Sequence, residues 1–428
     1  MNQVRLDERA REILIRNDRG GYTVPNGRVY PFQWNWDSAF VSLGFAAMDL
    51  DRAWREIETL FLGQWDEGFL PHIIFWHDDA GYFPGPAVWA TARTPPTSGI
   101  TQPPFAASAV RALWNAGDPQ RYRANLAKLF PRMLAWHRWF AQIRDPSGEG
   151  LAVIVHPWES GRDNSPEWDV PAQKIDSSAV GPYERRDTDH LDASMRPTKQ
   201  DYDRYYALVQ FGRSLGWNHR RIGLENPFRV VDVGMTLILQ RANRDLLALA
   251  EALGETRAAD ELRERIAKAE KGIAWLWNDE VGAYCSRDVI TGQSSGKITS
   301  ASFLSFYAGL RDEARDRRLL QHLERIAGRV KYLLPSLDPD DPGFDSVRYW
   351  RGPVWAVVNF LVGSGLSEAG HHSWGERIRS DTRTLIGQSG MYEYFCPETG
   401  RGVGGDDFSW TAAMWLHWAR EDSRRSPM

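Results

Sequence analysis

Apolar residues return three and four positions apart through most of this chain, and a rhythm sustained that far confines it to the helical class of folds. The stretch DSAFVSLGFAAMDLDRAWREIETLFLGQW reads as two helices interrupted near Asp49–Asp51. Similar segments recur at 102–115, 122–142, 201–214, 231–249, 256–277, 299–309, 312–327, 350–364, 367–386 and 407–418, about a dozen helices altogether. Brief connections such as GRSLGWNHRR and GSGLSEAG favour antiparallel neighbours packed as hairpins. A toroid of six helical hairpins would account for the segment count and gather one set of loops around a central pocket. A two-domain helical protein would show the same periodicity, which does not state which helices touch.

The connections are unequal. Residues 68–101 carry Gly68, Pro71, Pro84, Gly85, Pro86, Pro95, Pro96 and Gly99 among Phe, Trp and Tyr, and 145–200 forms another long polar stretch. Ordering such loops costs entropy, and long structured loops are usually functional. With no Ser/Gly linker or low-complexity segment to divide the chain, the expectation is one helical domain over 1–428. The segments 68–101 and 165–200 are then loop insertions covering the central pocket.

Composition removes several function classes. With 52 basic and 56 acidic residues the formal charge is −4, which supplies no field for capturing a polyanion, so no nucleic-acid partner is expected. No run of about 18 apolar residues offers a membrane span, and the charged N-terminus MNQVRLDERAREILIRN lacks a secretory pattern. Cys285 and Cys396 leave room for one bridge at most, and a reducing, cytoplasmic location is expected. His72 and His77 flank IIFW without an HExxH arrangement, and neither a GxGxxG nor a GxxxxGK[ST] loop occurs. No metal or cofactor is expected, and a homo-oligomer is left open.

Aromatic residues cluster with acids in the loops. PFQWNWDSAF carries Phe32, Trp34, Trp36 and Asp37, and HPWESGRDNSPEWD carries Trp158, Glu159, Asp163 and Trp168. Sugars present apolar C–H patches beside many hydroxyls, so flat rings next to carboxylates suit them. The same cup would serve a noncatalytic carbohydrate-binding protein.

HPWESGRDNSPEWD, YWRGPVWAVVNFL and YEYFCPETG, in that order, resemble the motifs of glycoside hydrolases of the processing α-glucosidase group, with a more distant likeness to trehalases. The arrangement is especially similar to compact bacterial hydrolases of mannosylglycerate and glucosylglycerate. The resemblance implies an all-α (α/α)6 toroid and an inverting α-glycosidase, with Asp163 as general acid and Glu393 as general base. Inversion would have protonated Asp163 donate to the departing oxygen while ionised Glu393 activates water on the opposite face, the carboxyls about 6.5–9.5 Å apart. Glu159 and Glu398 are competing carboxylates to which the resemblance gives neither role.

In the sugar subsite Phe32, Trp36, Trp158 and Trp355 are wall candidates, with Asp37 and Gln102 as hydroxyl partners. Asp37 also stands where a helix cap would, and Trp355 equally suits core packing. The resemblance places Arg196, Tyr202 and Tyr349 around the glycerate, where an Arg fork and phenols would hold a carboxylate. Asp407 and Trp410 are further candidates from GRGVGGDDFSWTAAMWL. The expected partner is thus a small anionic glycoside, hydrolysed to free hexose and glycerate. A trehalase or an oligosaccharide α-glucosidase is the alternative enzyme.

Overall fold

Helices that bury every side alternate along the chain with helices that bury one, and this alternation generates the architecture. The computed structural model describes residues 3–79 and 81–421, so the ends of the 1–428 span and Ala80 of the first long loop lie outside the described residues. Twelve helices build the rings, α1 (Gln3–Asn17), α2 (Asn35–Ala46), α3 (Leu50–Leu60), α4 (Ala106–Ala116), α5 (Pro119–Trp139), α6 (Val233–Leu253), α7 (Thr256–Ile273), α8 (Leu304–Tyr307), α9 (Glu313–Ala327), α10 (Ala356–Glu368), α11 (His372–Ser389) and α12 (Ser409–Met414), and a further helix, Lys199–Ser214, carries Tyr202. In α2 every residue from Asn35 to Phe45 is buried, and α8 and α12 are buried throughout. Such helices belong inside. In contrast, α7 buries the stripe Leu262, Ile266, Ala269 and Ile273, and α9 buries Leu319, Leu323 and Ile326, leaving charged faces outward.

The even-numbered helices pack side by side in the order α2, α4, α6, α8, α10, α12, and α12 returns to α2. Outside them α3 packs on α2, α5 on α4 and α6, α7 on α6, α11 on α10 and α1 on α12. The result is the all-α (α/α)6 toroid, a closed inner ring inside an outer one.

Helix starts follow local chemistry. Asp49, Asp118, Asp232 and Asp312 accept backbone N–H groups at the heads of α3, α5, α6 and α9, satisfying donors that have no intrahelical partner. Several helices begin later than periodicity predicts, and at two of them proline is the cause. Pro103–Pro104 hold off α4 until Ala106, and Pro353 delays α10 to Ala356, because the residue before a proline avoids the helical region. Helix α1 was not among the predicted segments. It buries Leu6, Ala10, Ile13 and Leu14, a helical stripe within a densely charged stretch.

Short antiparallel pairings pin the loops, among them Gln33–Trp34 with Ile73–Ile74 and Tyr394–Phe395 with Gly402–Val403. Cys285 and Cys396 are buried and unbridged, and among the described residues no helix is long and apolar enough to cross a membrane.

Inner helices approach closely where one lacks a side chain. A Cβ added at Gly44 of α2 would stand 2.6 Å from both the Cα and the Cβ of Ala413 on α12. Gly44→Ala gains helix propensity but overpacks this contact, and a net loss of about 1–2 kcal/mol is expected. Denaturant unfolding measures it, and an unchanged or raised midpoint would contradict the ring-packing account.

Candidate active site

A cavity of about 670 Å³, counting the solvent space at its mouth, opens at the N-terminal ends of the inner helices. Its walls take Trp36 and Asp37 from α2, Gln102 from the approach to α4, Trp410 from α12 and Tyr349 from the approach to α10. Trp158, Gly161 and Asp163 come from the loop after α5, Arg196 and Tyr202 lie further along, and Glu393 lies beyond α11.

The Trp36 backbone N–H donates to Gln102 Oε1 at 3.2 Å, so the Gln102 amide group keeps its own donors free. The Trp36 indole lies against Gly161, whose added Cβ would come within 2.5 Å of the ring and whose φ of +67° disfavours any other residue. Asp37 does not cap α2. Trp34 holds that position, and Asp37 sits two residues inside the helix with its carboxyl in the cavity wall. Apart from its own N–H, no described group bonds this carboxyl; burial holds its pKa well above the usual range, with Glu393 and Asp163 adding to the effect.

Asp163 is fixed through its backbone. Its carbonyl accepts from Trp168 Nε1 at 2.8 Å and from the Tyr205 hydroxyl at 3.0 Å, which leaves the side chain for the cavity. Burial pushes its pKa to about 7, with Arg196 opposing and Glu393 and Asp187 assisting. Trp158 is aimed by His156, whose Nδ1 accepts the Trp158 backbone N–H at 3.1 Å while Nε2 donates to the Tyr205 carbonyl at 3.0 Å.

Glu393 differs from Asp163 in being surrounded by donors. Its carboxylate accepts from the Tyr30 hydroxyl at 3.1 Å, from the Gly405 N–H at 3.1 Å, and from Arg196 Nη1 at 3.3 Å to each oxygen. Gly404 has φ +73°, and a Cβ there would lie 2.5 Å from Glu393 Oε2, so glycine permits the loop to wrap the carboxylate. Burial raises the Glu393 pKa, and Arg196, Gly405 and Tyr30 offset part of that rise.

Arg196 is already engaged. Its Nε donates to Asp187 at 3.0 Å, Nη1 to Glu393 and Nη2 to the Tyr30 hydroxyl at 2.6 Å, while its guanidinium lies 4.0 Å from the centre of the Tyr349 ring. At least three of its five N–H donors are therefore taken by the protein. The other candidate acceptor contacts, Tyr202 and Tyr349, both line the cavity.

Three of the sequence candidates lie outside the cavity. Phe32 is fully buried against Phe75 and Tyr82, at ring separations of 4.8 and 5.1 Å, and supports the wall from behind. Trp355 is stacked on Trp350 at 3.8 Å and on Tyr394 at 4.5 Å, donating its indole N–H to the Tyr349 carbonyl at 3.2 Å. It sets the position of Tyr349 and meets no ligand space. Asp407 faces away and is held by Arg9 and Arg16 of α1 at 2.7 and 2.8 Å, a stronger claim on a carboxylate than an open cavity makes. The competing acids are also elsewhere. Glu159 is fully buried in an ion pair with Arg144 at 2.5 Å, and Glu398 is exposed.

Tyr30, Trp34, His72, Tyr82 and Phe408 also line the cavity and were missed as site residues. Tyr30 borders the PFQWNWD motif and Trp34 lies within it, so an available signal was present for both. His72 carried none: as an isolated histidine it reads as packing until Ser98 Oγ is seen 2.6 Å from its Nδ1 and the residue is seen to line the cavity.

A family model of the mannosylglycerate hydrolase MGH1-like glycoside hydrolase domain matches residues 30–411. This chain belongs to that family. It is 48% identical to the mannosylglycerate hydrolase of Thermus thermophilus over 416 residues, 96% of this chain and all of that one. It is 35% identical to the glucosylglycerate hydrolase of Mycolicibacterium hassiacum over 438 residues, 96% of this chain and 97% of its relative. The crystal structure of a GH63 mannosylglycerate hydrolase from Thermus thermophilus, in complex with Tris and D-glycerate, superposes with a TM-score of 0.94 at 47% identity, covering 97% of this chain and 100% of the other.

An MGH1-like glycoside hydrolase keeps its cavity acids at a cost in stability. Because the folded pKa of Asp163 lies at about 7, above its ordinary value of 3.8, the stability penalty is absent below about pH 4 and complete once pH passes 7. Asp163→Asn should therefore raise the thermal midpoint at pH 8 more than at pH 5, by up to a few kcal/mol in stability terms. Equal effects at the two pH values would remove Asp163 as a buried acid.

Proposed function

We propose that this glycoside hydrolase cleaves the α-glycosidic bond of mannosylglycerate or glucosylglycerate, releasing hexose and glycerate with inversion at C1. The observation that carries the reading is that Asp163 and Glu393 line one cavity in opposite surroundings, one carboxyl with no donor but its own N–H and one ringed by donors. The relatives that act on these two glycosides supply the substrate class.

The chemistry follows from the surroundings. Asp163, held neutral by burial, donates its proton to the glycosidic oxygen as the bond to C1 breaks, and glycerate departs as the alcohol. Glu393, kept as the more stabilised anion, takes a proton from the water that attacks C1 from the opposite face. Trp36 and Trp158 offer flat faces to the hexose, the free Gln102 donors meet ring hydroxyls, and a protonated Asp37 both donates and accepts. On the acceptor side the donors that Arg196 has not committed, with Tyr202 and Tyr349, bind the glycerate carboxylate. A trehalase would place an uncharged sugar against that guanidinium and gain nothing from it. The segments 68–101 and 165–200 exclude water from this chemistry as the cover of the cavity. Two unbridged buried thiols suit a reducing cytoplasm.

The test is a panel of mannosylglycerate, glucosylglycerate and trehalose, with the first-formed anomer followed by NMR. Glycerate release with the β-hexose appearing first is expected, and cleavage of trehalose alone, or α-hexose first, would overturn the reading. Asp163→Asn and Glu393→Gln should each lower kcat by about 10²–10⁴-fold. Arg196→Ala should depress kcat/KM for both anionic and neutral acceptors, because it also disturbs Glu393, but by at least about tenfold more for the anionic one.

A further inference from the structure

Behind the cavity wall Arg196 runs into two further buried charges, Asp187 and Arg185, that no part of this mechanism uses. Asp187 does not line the cavity, yet its side chain is only 7% exposed and it grips two guanidinium groups. Its carboxylate accepts from Arg196 Nε at 3.0 Å and from Arg185 Nε and Nη2 at 3.1 and 2.7 Å. Arg185, 10% exposed, lies flat over the Tyr202 ring at 3.6 Å and donates to the Pro197 carbonyl at 2.8 Å, so neither cation can swing into solvent. Arg196, 2% exposed, runs on from Asp187 to Glu393. Two cations and two carboxylates thus form a chain, Arg185–Asp187–Arg196–Glu393, whose net charge is zero.

We propose that Asp187 is a positioning residue for the reaction: it fixes the Arg196 fork against Glu393 and cancels the cationic charge that Arg185 and Arg196 together would turn on Asp163. Unopposed, that charge would stabilise both ionised carboxyls, and Asp163 would lose its proton at lower pH. The acid would then be spent before the reaction began. The other titratable groups around the cluster do not change the sign. Tyr30, Tyr82, Tyr202, Tyr349 and Tyr394 are all pushed up by burial and stay neutral. Burial pushes Asp37, also in the cavity wall, toward its protonated form.

The inference rests on the hydrolytic reading above, but its test does not depend on it alone. Asp187→Asn keeps the shape and removes one negative charge. It should move both limbs of the kcat/KM pH profile to lower pH, by about one pH unit, the size expected of one buried charge acting over several ångströms. Asp187→Glu should restore the limbs even where it lowers the height. Arg185→Gln removes a cation instead and should move the limbs the other way, which keeps the charge argument testable if Asp187→Asn fails to fold. In the free protein, the carboxyl ¹³C resonance of Asp163, assigned through Asp163→Asn, should titrate at lower pH in Asp187→Asn. A profile that falls at all pH values with unmoved limbs, or equal shifts in the Asn and Glu variants, would overturn the proposal. If the unaltered enzyme hydrolyses no glycosylglycerate, the functional reading fails while the ¹³C titration still decides the role of Asp187.

Discussion

Three carboxyl groups, Asp37, Asp163 and Glu393, share one cavity wall with a single guanidinium, and that imbalance governs the site. A buried space cannot hold three negative charges against one cation without large cost, so protons must stay on some of the acids. Which acids keep them is settled by hydrogen bonding. Glu393 receives Tyr30, Gly405 and Arg196, and donors to an anion favour the anion. Asp163 and Asp37 receive no such side-chain donors, so burial prevails at both, opposed at Asp163 by the charge of Arg196. The division of labour proposed for Asp163 and Glu393 therefore follows from where N–H and O–H groups point.

The toroid makes such placement possible. Inner helices buried on every side give fixed N-terminal ends, and the residues that line the cavity sit on those ends or in the loops that approach them. Glycines then set the closest contacts, with Gly161 admitting the Trp36 ring and Gly404 admitting the Glu393 carboxylate. Behind the wall, a row of stacked rings, Trp350, Trp355 and Tyr394, holds Tyr349 in place. The cavity is shaped by side chains that never reach it.

Periodicity was enough to reveal the inner and outer helices because amphipathic stripes and all-round apolar runs are local properties. Ring closure was not local. It depends on α12 returning to α2 from the opposite end of the chain, and α1, which packs outside α12, was overlooked because its stripe of Leu6, Ala10, Ile13 and Leu14 lies among many charges. In the site, the Trp36, Asp37, Gln102 and Trp158 positions were legible because the motifs place aromatic and polar groups together. The exclusion of Phe32, Trp355 and Asp407 was not, since each is decided by a partner distant in sequence: Phe32 by Phe75, Trp355 by its stacked rings, and Asp407 by Arg9 and Arg16. A tryptophan in a motif looks the same whether its face meets a sugar or another tryptophan. Asp187 left no trace in sequence for the same reason, its meaning arising only when Arg185 and Arg196 converge on it.

Sharing Arg196 between the base and the proposed acceptor subsite ties binding to reactivity. A carboxylate brought to the uncommitted N–H groups of Arg196 competes with Glu393 for the same positive charge, and the closer it is held the less of that charge Glu393 retains. Glu393 becomes a stronger base as a result, while the added negative charge also favours the protonated form of Asp163. Both changes run in the direction that general acid–base hydrolysis needs. An uncharged acceptor of the same size would fill the space and produce neither. Discrimination for an anionic leaving group can therefore arise in the chemical step as well as in affinity, because the arginine that would recognise the acceptor is the one that tempers the base.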